Sequence, residues 1–200
     1  MARTKTRSPR RLPSESRRDQ LVTAAAAVIA RQGYASFSLD DVAERADVTR
    51  NLLYHYFPRG RIDLFLAALD RAGSELTEGW VTDSDLSPTE RTAANFERVA
   101  DHVMKPSDSW LVYRQARGLA DREVQKMLRG YQEIVVSSVS MNQLGTEEPL
   151  PATRVALTAY LAYVETALDS AREQGVDRDQ VRRLLIDVLE STLAAGQADP

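Results

Sequence analysis

Apolar positions recur at helical spacing along nearly the whole chain, and the strict alternation of a half-buried strand is missing. Leu21, Ala24, Ala25, Val28 and Ile29 fall at i, i+3, i+4, i+7 and i+8, which predicts a first helix over Arg17 to Gln32. Gly33 can take the left-handed conformation that ends it. Ser38 with Asp41 three residues on has the form of a capping box and opens a second helix, whose inner face is Leu39, Val42, Ala43 and Ala46. Asp47-Val48-Thr49 reads as a tight turn, with Thr49 placed to cap a third helix.

That third helix, about residues 50–56, has two unlike faces. At about 100° per residue, Leu52, Leu53, Tyr56 and Phe57 gather on one side, and Arg50, Asn51, Tyr54 and His55 on the other. The second face carries hydrogen-bonding and cationic groups rather than plain solvating Glu and Lys. Short helix, three-residue turn and short helix with this composition is a helix-turn-helix pattern, and an αα-hairpin on a protein surface has the same spacing. In a major groove, Arg donates bidentately to guanine and Asn reads adenine, while Tyr and Thr meet phosphate or a thymine methyl.

The rest of the chain predicts six further helices, for an all-α fold of about nine. A fourth runs from Arg61 to about Gly79, and a fifth starts at Ser87-Pro88-Thr89-Glu90 and ends before Pro106. A short helix spans about Ser109 to Arg117, and a long one opens at Asp121. After the loop around Gly145, Pro149 and Pro151, two helices remain. Residues 153–173 are apolar around most of their circumference, and Asp177 opens the last helix with the stripe Val181, Leu184, Leu185, Val188 and Leu189. Tyr160, Leu161, Val164 and Leu168 with that stripe form a candidate dimer interface, half of a four-helix bundle across a two-fold axis. The alternative is that both helices are simply intramolecular core.

Charge sharpens this picture. The net charge of −3 hides an asymmetry: residues 1–61 hold 12 Lys+Arg against 6 Asp+Glu, and residues 62–200 hold 14 against 23. A cationic head and an acidic body suit a chain that meets a polyanion at one end. The chain has no Cys, which excludes a disulfide framework, thiolate zinc and a Cys nucleophile. No P-loop, GxSxG or zinc signature occurs, and the two histidines, His55 and His102, form no metal cluster. We therefore expect no enzyme, no cofactor and no metal. The basic start lacks an apolar core segment and no apolar run reaches membrane length, so a cytoplasmic protein is expected.

Residues 17 to about 70 resemble the DNA-binding domain of the TetR family of bacterial repressors. The resemblance rests on Gly33-Tyr34, Ser38, Val42-Ala43, Ala46, Val48-Thr49, Leu53-Tyr54 and Phe57, over roughly a quarter of the chain. Two positions depart from the family pattern. Asp47 stands where the family usually has Gly, at a place suited to positive φ. Gly60 stands where a phosphate-touching Lys opens the fourth helix, leaving Arg61, or else Arg59, for that role. The resemblance implies a homodimer on a palindromic double-stranded DNA operator, released by a small-molecule effector held in the helical body.

The expected organisation is a flexible basic arm (1–16), a helix-turn-helix domain (17–62) and a ligand-binding and dimerisation domain (63–200). Candidate DNA contacts are Arg17, Arg18, Ser38, Thr49, Arg50, Asn51, Tyr54, His55 and Arg61. Candidate pocket residues are Phe96, Val99, Trp110, Tyr113, Arg114, Met127 and Tyr131 on the middle helices, where aromatics and Met also serve as ordinary core. Arg114 would pair with an anionic ligand or with a neighbouring acid. His102 would be a ligand contact or a metal ligand, but standing alone, with no acid or His cluster at metal spacing, it reads as an ordinary residue. The function expected is a ligand-responsive repressor, and the alternative is a helical protein-interaction adaptor whose helix-turn-helix does not bind DNA.

The basic arm gives a salt-dependence prediction. Each neutralised phosphate adds about 0.9 to the logarithmic salt slope of binding. Replacing Arg17 and Arg18 by Ala should lower that slope by about 1.8, whereas deleting residues 1–9 should leave it unchanged if they are a solvated tail. Titration of duplex binding against salt measures both.

Overall fold

A computed structural model of the chain describes residues 14–80 and 85–197. Nine helices and no strand occur among them: α1 (Ser14–Gln32), α2 (Leu39–Ala46), α3 (Arg50–Tyr56), α4 (Arg61–Thr77), α5 (Pro88–Met104), α6 (Asp108–Arg117), α7 (Arg122–Leu144), α8 (Pro151–Gln174) and α9 (Arg178–Gln197). None of the described helices is long and apolar enough to cross a membrane. Most of the predicted arm lies outside the described residues. Its last three residues belong to α1, which begins at Ser14 rather than Arg17 and has Glu15 in its first turn, where an acid suits the positive helix end.

The chain divides into two compact units, Met1–Ala68 and Leu69–Pro200, and the division falls inside α4 rather than between residues 62 and 63. In the first unit, α1 packs on α2 and α2 on α3. Leu21, Val28, Ile29, Phe37, Val42, Leu53, Phe57, Leu64 and Phe65 are its buried side chains. The Gln20 amide donates to the Ala46 carbonyl at 3.1 Å and ties α1 to the end of α2. Ser38 caps α2 as predicted: its hydroxyl accepts from the Asp41 N–H at 3.1 Å, and its own N–H donates to Asp41 Oδ2 at 3.0 Å. Asp47 ends α2 in the left-handed region (φ 52°), the conformation for which Gly is the usual residue.

In the second unit, Ser87 and Glu90 form the expected capping box of α5. The cap of α6 is Ser107, whose hydroxyl accepts from the Trp110 N–H at 3.1 Å, so that helix starts at Asp108. Ser109 is instead buried and donates to Glu75 of α4. Pro151 opens α8 two residues before the predicted start. One apolar cluster joins Phe96, Ala100, Val103, Trp110, Leu168, Ala171, Val181 and Leu185, and a second joins Val136, Leu157, Tyr160 and Leu189. α8 and α9 form an antiparallel hairpin, pinned where the Tyr160 hydroxyl donates to the Leu185 carbonyl (3.0 Å) and Thr153 to the Gly196 carbonyl (2.8 Å).

These contacts account for most of the residues expected at the dimer interface within one chain. Tyr160, Leu168, Val181, Leu185 and Leu189 are buried within one chain, and Leu161, Val164 and Val188 pack against the same clusters. Of those candidates Leu184 is exposed, at 47 %. The stripe read along α9 faces α8 and α5 of its own chain, since both are its neighbours. The apolar surface that remains on this hairpin is Val155, Ala159, Ala162 and Tyr163 on α8, with Leu184 on α9.

α7 meets the carboxy-terminal turns of α4 at close range. A Cβ built on Gly73 would stand 2.2 Å from the Tyr131 ring, and the Tyr131 hydroxyl donates to the Asp70 carbonyl at 2.7 Å. Gly→Ala in an open helix stabilises by up to about 1 kcal/mol. At this contact overpacking costs about 1–3 kcal/mol and outweighs it. Gly73→Ala should therefore lower the midpoint of thermal unfolding, and a rise would show that the α4–α7 contact is looser than described.

Candidate functional site

α3 is seven residues long and is oriented by two side chains. Leu53 (0 % exposed) and Phe57 (2 %) enter the core of the first unit, and Leu52 and Tyr56 are half-buried. Arg50, Asn51, Tyr54 and His55 are all exposed on the opposite face. Thr49 holds the cap position in extended backbone (φ −82°, ψ 150°), yet its hydroxyl makes no cap bond, and the residue is exposed. The hydroxyl of Ser38, by contrast, is taken up by the α2 cap.

Arg50 is held in place before any partner arrives. Its guanidinium donates to Asp40 Oδ2 at 2.8 Å and to the Tyr54 hydroxyl at 3.3 Å, and lies 5.7 Å from the Tyr54 ring. The Tyr54 hydroxyl first, and then the Asp40 carboxylate, hold that guanidinium more firmly in its charged form. An exposed pair of this kind contributes little to stability. Its effect is to fix the direction of a side chain that would otherwise sample many rotamers.

The other predicted cations have partners as well. Arg61 donates to the Tyr34 and Ala35 carbonyls and lies 4.7 Å from the centre of the Phe37 ring, so it ties α4 to the α1–α2 loop. Arg59 donates to Asp63 at 2.6 Å. Gly60 has φ +68°, and a Cβ there would meet Leu39 and Tyr54 at 3.4 Å, which accounts for Gly at this point of the turn. Arg17 donates to Gln20 at 2.6 Å, and Arg18 lies over Phe57 at 5.5 Å.

The second unit holds a half-open cavity of about 150 Å³ lined from α4 through α9. Phe96, Val99, Trp110, Tyr113 and Tyr131 line it. Arg114 does not: it pairs with Asp169 at 3.2 Å on the outside of α8. Met127 does not either, because along α7 the wall begins one turn later, at Tyr131. Residues read as dimer contacts supply the far wall, namely Tyr160, Leu161, Val164, Leu185 and Leu189. Leu76 and Trp80 complete it from the α4 side. His102 is bonded to Ser107 at 3.0 Å, and no group of three or more His, Cys, Asp or Glu among the described residues could hold a metal ion.

Residues 21–68 match the family model for "Bacterial regulatory proteins, tetR family". These residues form a TetR-family DNA-binding domain. The HTH-type transcriptional activator FasR of Mycolicibacterium smegmatis is 26 % identical over 176 residues, 84 % of this chain and 79 % of that one. Among solved structures, a tetR-family transcriptional regulator from Streptomyces coelicolor superposes with a TM-score of 0.79 at 20 % identity, covering 92 % of this chain and 83 % of the other. A transcriptional regulator FadR from Bacillus subtilis, solved in complex with stearoyl-CoA, superposes with a TM-score of 0.66 at 17 % identity over 88 % of this chain and 98 % of that one. The two structures establish the shared TetR fold. The matched domain makes the chain a DNA-binding transcriptional regulator of TetR type, and the relatives named are transcriptional regulators.

Asp40 and Arg50 of this TetR-family head should part in a binding assay. A bidentate base contact carries about 1–3 kcal/mol of discrimination, so Arg50→Ala should lose tenfold or more in preference for the selected site over random duplex. Asp40→Ala should tighten binding to random duplex, because it removes an acid beside the phosphates, while narrowing the preference. Fluorescence-anisotropy titrations on both duplexes read both effects, and unchanged preference in Arg50→Ala would remove that residue from base readout.

Proposed function

We propose that this chain is a homodimeric repressor that reads a palindromic operator through α3 and is released when a small molecule occupies the cavity of its second unit. The observation that carries the DNA half of this reading is the outward face of α3, where Arg50, Asn51, Tyr54 and His55 are exposed while Leu53 and Phe57 hold the helix in the core. One such helix reads too few base pairs for specificity, and a two-fold dimer reads two half-sites about one helical turn or more apart. The remaining contacts are proposed for Thr49, Arg17 and Arg18, toward phosphates.

The dimer surface moves from the residues first expected to the exposed stripe of α8 and α9: Val155, Ala159, Ala162, Tyr163 and Leu184. Small and apolar side chains on two adjacent antiparallel helices suit a four-helix bundle with a second copy.

The release mechanism is a population shift. A guest weakens DNA binding only by its differential affinity for a dimer whose heads are wrongly spaced. α4 is the natural carrier, because one continuous helix supplies Leu64 and Phe65 to the first unit's core and Gly73, Leu76 and Thr77 to the cavity wall. The stearoyl-CoA held by the FadR neighbour supports a guest that presents an apolar end. Activation is the second reading, favoured by the name of the FasR relative, and a promoter fusion with the operator placed upstream or across the start separates the two.

A pair of variants tests the dimer. Leu184→Asp should give a folded monomer by sedimentation and lose operator binding by at least tenfold. Leu185→Asp, which places a charge in the core, should instead lower the unfolding midpoint sharply. A Leu184→Asp protein that remains dimeric would move the interface elsewhere.

A further inference from the structure

We infer that the cavity of the second unit accepts an uncharged, hydrocarbon-like guest and excludes anions. This rests on the reading of the cavity as the effector site and names the chemistry of what it takes. A dry apolar cavity of about 150 Å³ holds a benzene-sized guest, so the buried part of the ligand is of roughly that size unless the wall opens.

Several polar groups of the wall are already bonded inside the protein. The Tyr113 hydroxyl donates to Glu165 at 2.9 Å, Tyr131 to Asp70, Tyr160 to the Leu185 carbonyl, and the Trp80 indole to the Leu76 carbonyl at 3.2 Å. Gln143 donates to Thr92 at 2.6 Å. A guest that brought its own hydrogen-bonding groups would give up bonds to water and find few free partners, at a cost of about 1–3 kcal/mol for each group left unmade. The Trp110 indole N–H is buried and has no partner, so it is a donor that a guest could engage if the wall yields.

Charge decides the matter further. Glu165 is the one charged residue of the wall among the described residues, and Arg117 pairs with it from outside the cavity. No Lys or Arg lines the space. A buried carboxylate or phosphate would have no cation to pair with and would face an acid, and burial of an unpaired ion is among the costliest events in a protein interior. A ligand with an anionic part must therefore keep that part outside and insert only its apolar end.

Three probes of similar shape test this on the whole chain: cumene, acetophenone and benzoate. The chain's two tryptophans, Trp80 and Trp110, both line the cavity, so their emission reports occupancy. Cumene should bind most tightly, acetophenone less, and benzoate on the order of a hundredfold more weakly than cumene. Thr77→Arg, which places a cation in the wall, should raise benzoate affinity at least tenfold while the fold is checked by thermal unfolding. Benzoate binding as tight as cumene in the unaltered protein would overturn the inference, as would cumene leaving both tryptophans unchanged. Duplex release is followed in the same samples. Cumene bound without release supports the cavity's chemistry and removes its effector role, whereas release by benzoate in preference to cumene supports the role and overturns the chemistry.

Discussion

Leu53 and Phe57 are the constraint on which the rest of the first unit depends. A seven-residue helix has no stability of its own, because nucleation costs more than so few hydrogen bonds return. α3 exists because these two side chains are plugged into a core built by α1, α2 and the start of α4. That anchoring also sets the rotation of the helix. Once Leu53 and Phe57 point inward, Arg50, Asn51, Tyr54 and His55 have only the outward face, and Asp40 and Tyr54 then restrict Arg50 on that face. Function at the DNA surface is in this sense a by-product of packing behind it.

The second unit solves a different problem with the same material. Its helices must close a core, leave a void and present an apolar surface. α8 does all three: Leu157 and Leu168 face the clusters, Tyr160, Leu161 and Val164 face the cavity, and Val155, Ala159, Ala162 and Tyr163 remain outside. An apolar circumference is the only pattern that allows this. A wall with one acid, no Lys or Arg and several polar groups already bonded within the protein suits apolar surface better than charge.

The fold was legible in the sequence because helical periodicity and caps are local. The two faces of α3, the Ser38–Asp41 box and the Ser87–Glu90 box stand where spacing placed them. Periodicity does not say whose neighbour a stripe meets. Leu184 and Leu185 are adjacent in one apolar run, yet one is exposed and the other buried, because α5 covers one side of α9 and nothing in the sequence of α9 records that. The pairings of Arg114 and Arg61 could not be read locally for a related reason. Their partners, Asp169 and the carbonyls of Tyr34 and Ala35, lie 55 and 26–27 residues away. Phe96, Trp110, Tyr113 and Tyr131 stand out by size, whereas Tyr160 and the smaller aliphatic residues of the far wall look the same as core.

Selection of bound duplexes from a random DNA pool at physiological salt tests the central claim, that the outward face of α3 reads base edges as one half of a two-fold pair. The account predicts a palindromic consensus whose half-sites are separated by about one helical turn or more. Enrichment of no sequence, or of a single unpaired half-site, would contradict it.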